Sequence, residues 1–100
     1  MLDFETLGRQ FRDDGVVKLT NVLDPGSLRQ ARACYDWSLN NPGPHGKGGG
    51  WLEAGEGTFE DKANPEAPEV YRSFLESGPL ADLAAGLWGE AETWFMYEQV

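Results

Sequence analysis

The sequence predicts an α+β fold with helices in the majority. Three observations carry that expectation: four segments with apolar residues at helical spacing, two β-branched or aromatic runs, and glycine–proline punctuation between them. The first helix is predicted over about residues 3–13. Asp3 caps it, and Phe4, Leu7 and Phe11 recur on one face. Asp13, Asp14 and Gly15 end it, with Gly15 suited to the left-handed residue just past a helix. Val16, Val17 and Leu19 then predict a short strand at 16–19.

Asp24-Pro25 is a strong helix start, a side-chain acceptor followed by proline at the first helical position. The helix it opens is predicted over 25–40, with Leu28, Ala31, Tyr35 and Leu39 on one face and Arg29 and Arg32 solvated. Asn40-Asn41-Pro42-Gly43-Pro44 stops it. A flexible loop at 42–50 follows, ending in His45-Gly46-Lys47-Gly48-Gly49-Gly50. It lacks the GxxxxGK[ST] spacing of a phosphate cradle and no helix start follows it, so it reads as a lid or connector.

Trp51-Leu52-Glu53 and Thr58-Phe59-Glu60 read as short extended pieces, Trp51 either flanking a channel or anchoring the loop. A third helix, about 68–76, carries Val70, Tyr71, Phe74 and Leu75. Ser77-Gly78-Pro79 divides it from a fourth, about 79–88, with Leu80, Leu83, Ala84 and Leu87 at i, i+3, i+4, i+7 and Gly89 beyond. Residues 93–100, Thr-Trp-Phe-Met-Tyr-Glu-Gln-Val, read as a strand buried on both faces. Such a strand needs partners on both sides for its backbone.

The totals bound the function. One hundred residues make one domain or part of one, and a net charge of −9 repels phosphate backbones and anionic lipid. Nucleic acid and membrane partners are therefore not expected. Cys34 is the lone cysteine, so no internal disulfide or multi-cysteine metal site forms, and its mid-helix position reads as a buried, inert thiol. No apolar run reaches bilayer length and the first residues are acidic where a signal peptide needs bases, so a soluble cytoplasmic protein is expected. The acid pairs Asp13/Asp14 and Glu60/Asp61 read as helix-end and loop solvation rather than as general acid–base machinery.

The order helix, Phe11-x-x-Asp14-Gly15-Val16-Val17, helix after Leu23-x-x-x-x-Leu28, paired helices, aromatic strand resembles the opening of the phytanoyl-CoA dioxygenase-like family. These are iron(II)/2-oxoglutarate oxygenases. The resemblance covers nearly the whole chain but roughly the N-terminal third of a family member. It implies a helical buttress followed by the first strands of a double-stranded β-helix, or jelly roll, incomplete in this chain. It also implies Fe(II) and 2-oxoglutarate as cofactors of the complete protein, and a small-molecule substrate: an acyl-CoA thioester, amino-acid derivative, phosphonate or secondary metabolite.

The family's iron takes two imidazoles and a carboxylate on one face. This chain has one histidine, His45, so no metal ligand and no catalytic residue is assigned here, and the ligands are expected beyond residue 100. Alternation along residues 93–100 puts Phe95, Tyr97 and Gln99 on one face and Trp94, Met96, Glu98 and Val100 on the other. By the resemblance, Gln99 is the candidate contact to 2-oxoglutarate and Tyr97 a candidate for lining the same cavity. The plainer reading is that Gln99 ends a strand in water. Trp94 and Met96 are expected to pack beneath the paired helices. On this reading, the rest of a jelly roll or another chain must cover Trp94–Val100. The alternative is a short non-catalytic α+β module that pairs through the same strand.

Overall fold

A computed structural model of the chain describes residues 2–48 and 59–100. Its described elements run α1 (Phe4–Asp14), α2 (Pro25–Asn40), β1 (Lys47–Gly48), β2 (Phe59–Glu60), α3 (Ala67–Ser77) and α4 (Leu80–Trp88). The fold is mixed α+β, with little strand among the described residues.

The helix ends follow local chemistry. The Asp3 carboxylate accepts the Thr6 backbone N–H at 3.1 Å and the Thr6 hydroxyl at 2.6 Å. At the other end of α1, Gly15 sits at φ 76° and donates its N–H to Phe11 O. Asp24 accepts the Ser27 N–H at 2.8 Å, and Pro25 opens α2. Gly89, at φ 72°, closes α4 in the same left-handed way as Gly15.

The helices pack in pairs, α1 against α4 and α2 against α3, with α3 also touching α4. In the first pair small residues allow the approach. A methyl group on Gly86 would lie 2.6 Å from Cε1 of Phe4, and one on Gly8 would lie 3.1 Å from Leu87 O. In the second pair the seam is partly polar. Ser27, Cys34 and Ser38 are the buried residues of α2, facing Ala67 and Phe74 buried on α3. Leu28 and Tyr35, expected to face inward, are half exposed. The phenol of Tyr71 explains the rotation. It donates to Cys34 O at 3.3 Å and lies 2.6 Å from Ser38 Oγ, so the polar positions of α2 must turn toward α3.

The strands depart further from expectation. Residues 16–19 form no ladder, and Val16 is 69% exposed. Among the described residues no neighbouring strand takes up their backbone groups. Lys47–Gly48, expected within a loop, pairs antiparallel with Phe59–Glu60. Among the described residues the expected terminal strand pairs only at its end: Asp61 and Val100 exchange both backbone hydrogen bonds, and Ala63 N–H reaches Glu98 O. Trp94 and Met96 do not lie beneath the helices; each is 83% exposed. Gly49–Thr58, and with it the expectations for Trp51–Glu53 and Thr58, lies outside the described residues.

Two global quantities fit this picture. The radius of gyration is 15.7 Å, against about 13 Å for a compact domain of this length. The accessible surface is 7441 Å², where area scaling for folded monomers of this mass gives about 5,700 Å². Among the described residues Val16, Trp88 and Trp94–Tyr97 are large apolar side chains left in solvent. No helix among the described residues is long and apolar enough to cross a membrane.

Candidate functional site

The polar centre of the molecule lies where the chain segments around residues 41–46, 60–66 and 98–100 meet. It is built on buried polar groups, of which the sequence reading had placed Asp61 in solvent. Asp61 is only 3% exposed, and its carboxylate accepts the Gly43 N–H at 2.9 Å and the Lys62 N–H at 2.8 Å. Loop solvation is therefore the wrong reading for Asp61: it fastens the 41–46 turn to the strand segment. Glu98, 7% exposed, accepts the Asn64 N–H at 2.8 Å. Asn64 is buried as well. Its amide donates to Asn41 O at 2.7 Å, and its carbonyl oxygen accepts the Glu66 N–H at 3.0 Å, starting α3.

Each bond is sustained by its surroundings. A buried carboxylate with backbone N–H partners avoids the cost of an unpaired charge. Gly43 has no Cβ where one would come within 2.9 Å of Asn64 Cγ, so the two segments can close. Ala63, at φ 49°, makes the left-handed step that swings the chain from the strand into the Asn64 turn. The Asn64-Pro65 dipeptide is a turn signal that could have marked this point. Nothing local marks Asp61 or Glu98 as buried.

This clamp sets the register in which Gln99 stands opposite Lys62, between the two hydrogen-bonded pairs. Gln99 then borders a cleft of about 320 Å³ with His45, Glu60, Asp61, Lys62 and Val100. Tyr97, its expected companion, does not line that cleft and is half exposed. The structure thus brings His45 to Gln99 and leaves Tyr97 apart. The lining offers an amide, an imidazole and an ammonium alongside carboxylate, a set that can hold a small polar molecule by hydrogen bonds.

Beside this centre runs the Ser38–Tyr71–Cys34 chain. Burial pushes the Tyr71 phenol above the ordinary tyrosine range, opposed by the Ser38 hydrogen bond and reinforced by Cys34, Glu98 and Asp61. Burial alone raises the Cys34 thiol. Since Tyr71 gives its one proton to Cys34 O, Ser38 is the donor in the 2.6 Å contact. The chain is structural: a protonated thiol and two hydroxyls engaged with each other make no activated nucleophile.

Iron does not fit the donors described. Among the described residues no three of His, Cys, Asp and Glu stand together so as to hold a metal ion, and His45 supplies one imidazole where two are needed. Gln99 borders the polar cleft with an amide that can both donate and accept hydrogen bonds. Fold and site define no class narrower than a mixed α+β chain with a polar cleft at its strand end. Comparison with protein-family models, with curated proteins and with solved structures finds no match for this chain.

Proposed function

We propose that this chain is the N-terminal portion of a non-haem Fe(II)/2-oxoglutarate-dependent dioxygenase that hydroxylates a small molecule. The observation that carries the reading is the exposed run Trp94–Tyr97, two of whose side chains are 83% in solvent, on a chain with more surface than its mass warrants. On this reading the run becomes a strand of a sheet once further strands lie beside it and take up its backbone groups. The helical pairs are the buttress behind that sheet. The order of helices, Gly15 turn and final aromatic segment supports the same assignment.

In this reading Gln99 hydrogen-bonds 2-oxoglutarate from the sheet, and His45 and Lys62 border the same space. Iron, when bound by ligands outside these residues, supplies the oxidising chemistry. This chain's residues position the strand, exclude water behind it and hold Gln99 in register. By itself the chain is inert.

The test is to express the coding region in full and measure Fe(II)-dependent conversion of 2-oxoglutarate to succinate. Conversion, with weaker 2-oxoglutarate binding in Gln99→Ala, supports the reading. A full-length product that binds neither iron nor 2-oxoglutarate sinks it. The exposed edge then favours the second reading, a module whose strand completes another chain's sheet.

A further inference from the structure

The segment 59–62 lies between two neighbours. Lys47 pairs with Glu60 on one side, and Val100 pairs with Asp61 on the other. Alternation along the segment puts Glu60 and Lys62 on one face. It turns Asp61 toward Gly43, whose N–H it accepts. Gln99 stands opposite Lys62 in a pair without hydrogen bonds of its own. Opposed residues of an antiparallel pair point the same way, so Gln99 shares that face. With His45 from the 41–46 turn, these side chains rim the 320 Å³ cleft.

Two of the rim groups carry opposite charges without neutralising each other. Lys62 and Glu60 are exposed, and strand geometry puts their Cα atoms about 7 Å apart. Among the described residues neither enters an ion pair. The other carboxylate at the cleft, Asp61, is already engaged by the backbone N–H groups of Gly43 and Lys62. The cleft therefore presents one cation and one anion side by side. A substrate with two carboxylates would set one of them against Glu60, and a substrate charged only by an amine would be repelled by Lys62. A molecule with both charges on neighbouring groups meets an opposite charge at each end.

We propose that the cleft holds an α-amino acid by its zwitterionic head group, Lys62 taking the carboxylate and Glu60 the ammonium. Gln99 stays with 2-oxoglutarate. Binding by this charge pair does not depend on the oxygenase reading. That the bound amino acid is the molecule hydroxylated rests on it. In that case a C–H bond of the amino acid becomes C–OH while 2-oxoglutarate gives succinate and CO₂, with one atom of O₂ entering each oxidised product.

The test uses the product of the full coding region. Each standard L-amino acid is screened by its effect on the melting temperature. The strongest binder is then titrated calorimetrically beside its methyl ester, which lacks the carboxylate charge, and its N-acetyl derivative, which lacks the ammonium. Each derivative should bind at least about tenfold more weakly than the free amino acid. Lys62→Gln should weaken the free amino acid by a similar factor and leave the ester unchanged. Glu60→Gln should do the same with the N-acetyl form. Both side chains are exposed, so neither variant threatens the fold, and far-UV circular dichroism verifies this. Failure of every L-amino acid to bind overturns the proposal, as does an affinity unchanged in both variants. So does a Lys62→Gln variant that loses affinity for 2-oxoglutarate alone, because the lysine would then serve the cofactor. Succinate formation is measured on the same sample. Succinate without amino-acid binding sinks this proposal and spares the oxygenase reading, and amino-acid binding without succinate does the reverse.

Discussion

The Glu98 carboxylate accepts the backbone N–H of Asn64 at 2.8 Å in a site closed to solvent. That one bond joins the end of the chain to the turn that starts α3, and it fixes which residue of the last strand faces the cleft. In a strand, a slip of one residue would replace Gln99 with a neighbour pointing the other way.

Glu98→Ala leaves the Asn64 N–H buried without an acceptor. A loss of about 1–3 kcal/mol is expected in urea unfolding, together with faster hydrogen exchange at Asp61, Ala63 and Val100, whose N–H groups make the terminal pairing. Glu98→Gln keeps an acceptor and should lose less. Equal exchange rates in wild type and Glu98→Ala would contradict the register role.

Gly86→Ala tests the α1–α4 contact. Alanine is favoured over glycine inside a helix by about 1 kcal/mol, yet its methyl would meet the Phe4 ring at 2.6 Å. Displacing the ring costs about 1–3 kcal/mol as overpacking, so net destabilisation is expected. Phe4→Leu should recover part of that loss in the double variant. A more stable Gly86→Ala chain would show that α1 is not held where described.

Tyr71→Phe removes the hydroxyl that links α2 and α3 and should lower stability by about 1 kcal/mol. The raised phenol adds a pH effect of definite sign. The folded state holds Tyr71 protonated, so its contribution is complete below the unfolded tyrosine value, about 10. It is lost as pH rises through the higher folded value. Alkaline unfolding should therefore lose this component in Tyr71→Phe.

Asp24 works at the opposite end of the pH scale. The Ser27 N–H bond holds its carboxyl below the ordinary aspartate range. Its stabilisation of α2 is present above the unfolded value, about 3.9, and fades as pH falls through the lower folded value. Asp24→Asn keeps a cap and should flatten the acid side of a helicity titration. An unchanged acid titration would remove Asp24 from this role.

Trp94→Ser and Met96→Ser should change stability by no more than about 0.5 kcal/mol, because both side chains are in solvent. Both should reduce self-association at high concentration, measured by light scattering. A large destabilisation would mean that these residues are buried by the chain after all.

The helix boundaries were legible because short-range chemistry sets them. Asp24-Pro25, Gly15 and Gly89 mark ends with groups one to four residues away, and the structure uses each one. Periodicity was a weaker guide to facing. The apolar row of α2 pointed to Leu28 and Tyr35, while the Tyr71 phenol, 33 residues from Ser38, turned the polar side inward. A hydrogen bond across that separation leaves no trace in a local window.

The strands were the least legible. Val16–Leu19 and Trp94–Tyr97 have strand composition, yet a strand exists only when another backbone lies alongside, and among the described residues none lies beside either run, the pairing at this end of the chain beginning at Glu98. What the sequence determined by itself is the set of helices, their caps and the acid surplus, all fixed by residue type and near neighbours. What only the tertiary structure decided is that Asp61, Asn64 and Glu98 are buried together, that Gln99 meets His45 across a cleft, and that Trp94 and Met96 stay in water. The reason is physical: burial and pairing are properties of segments brought together in space, and residues 41, 61 and 98 lie too far apart in the sequence for a local pattern to show that they meet.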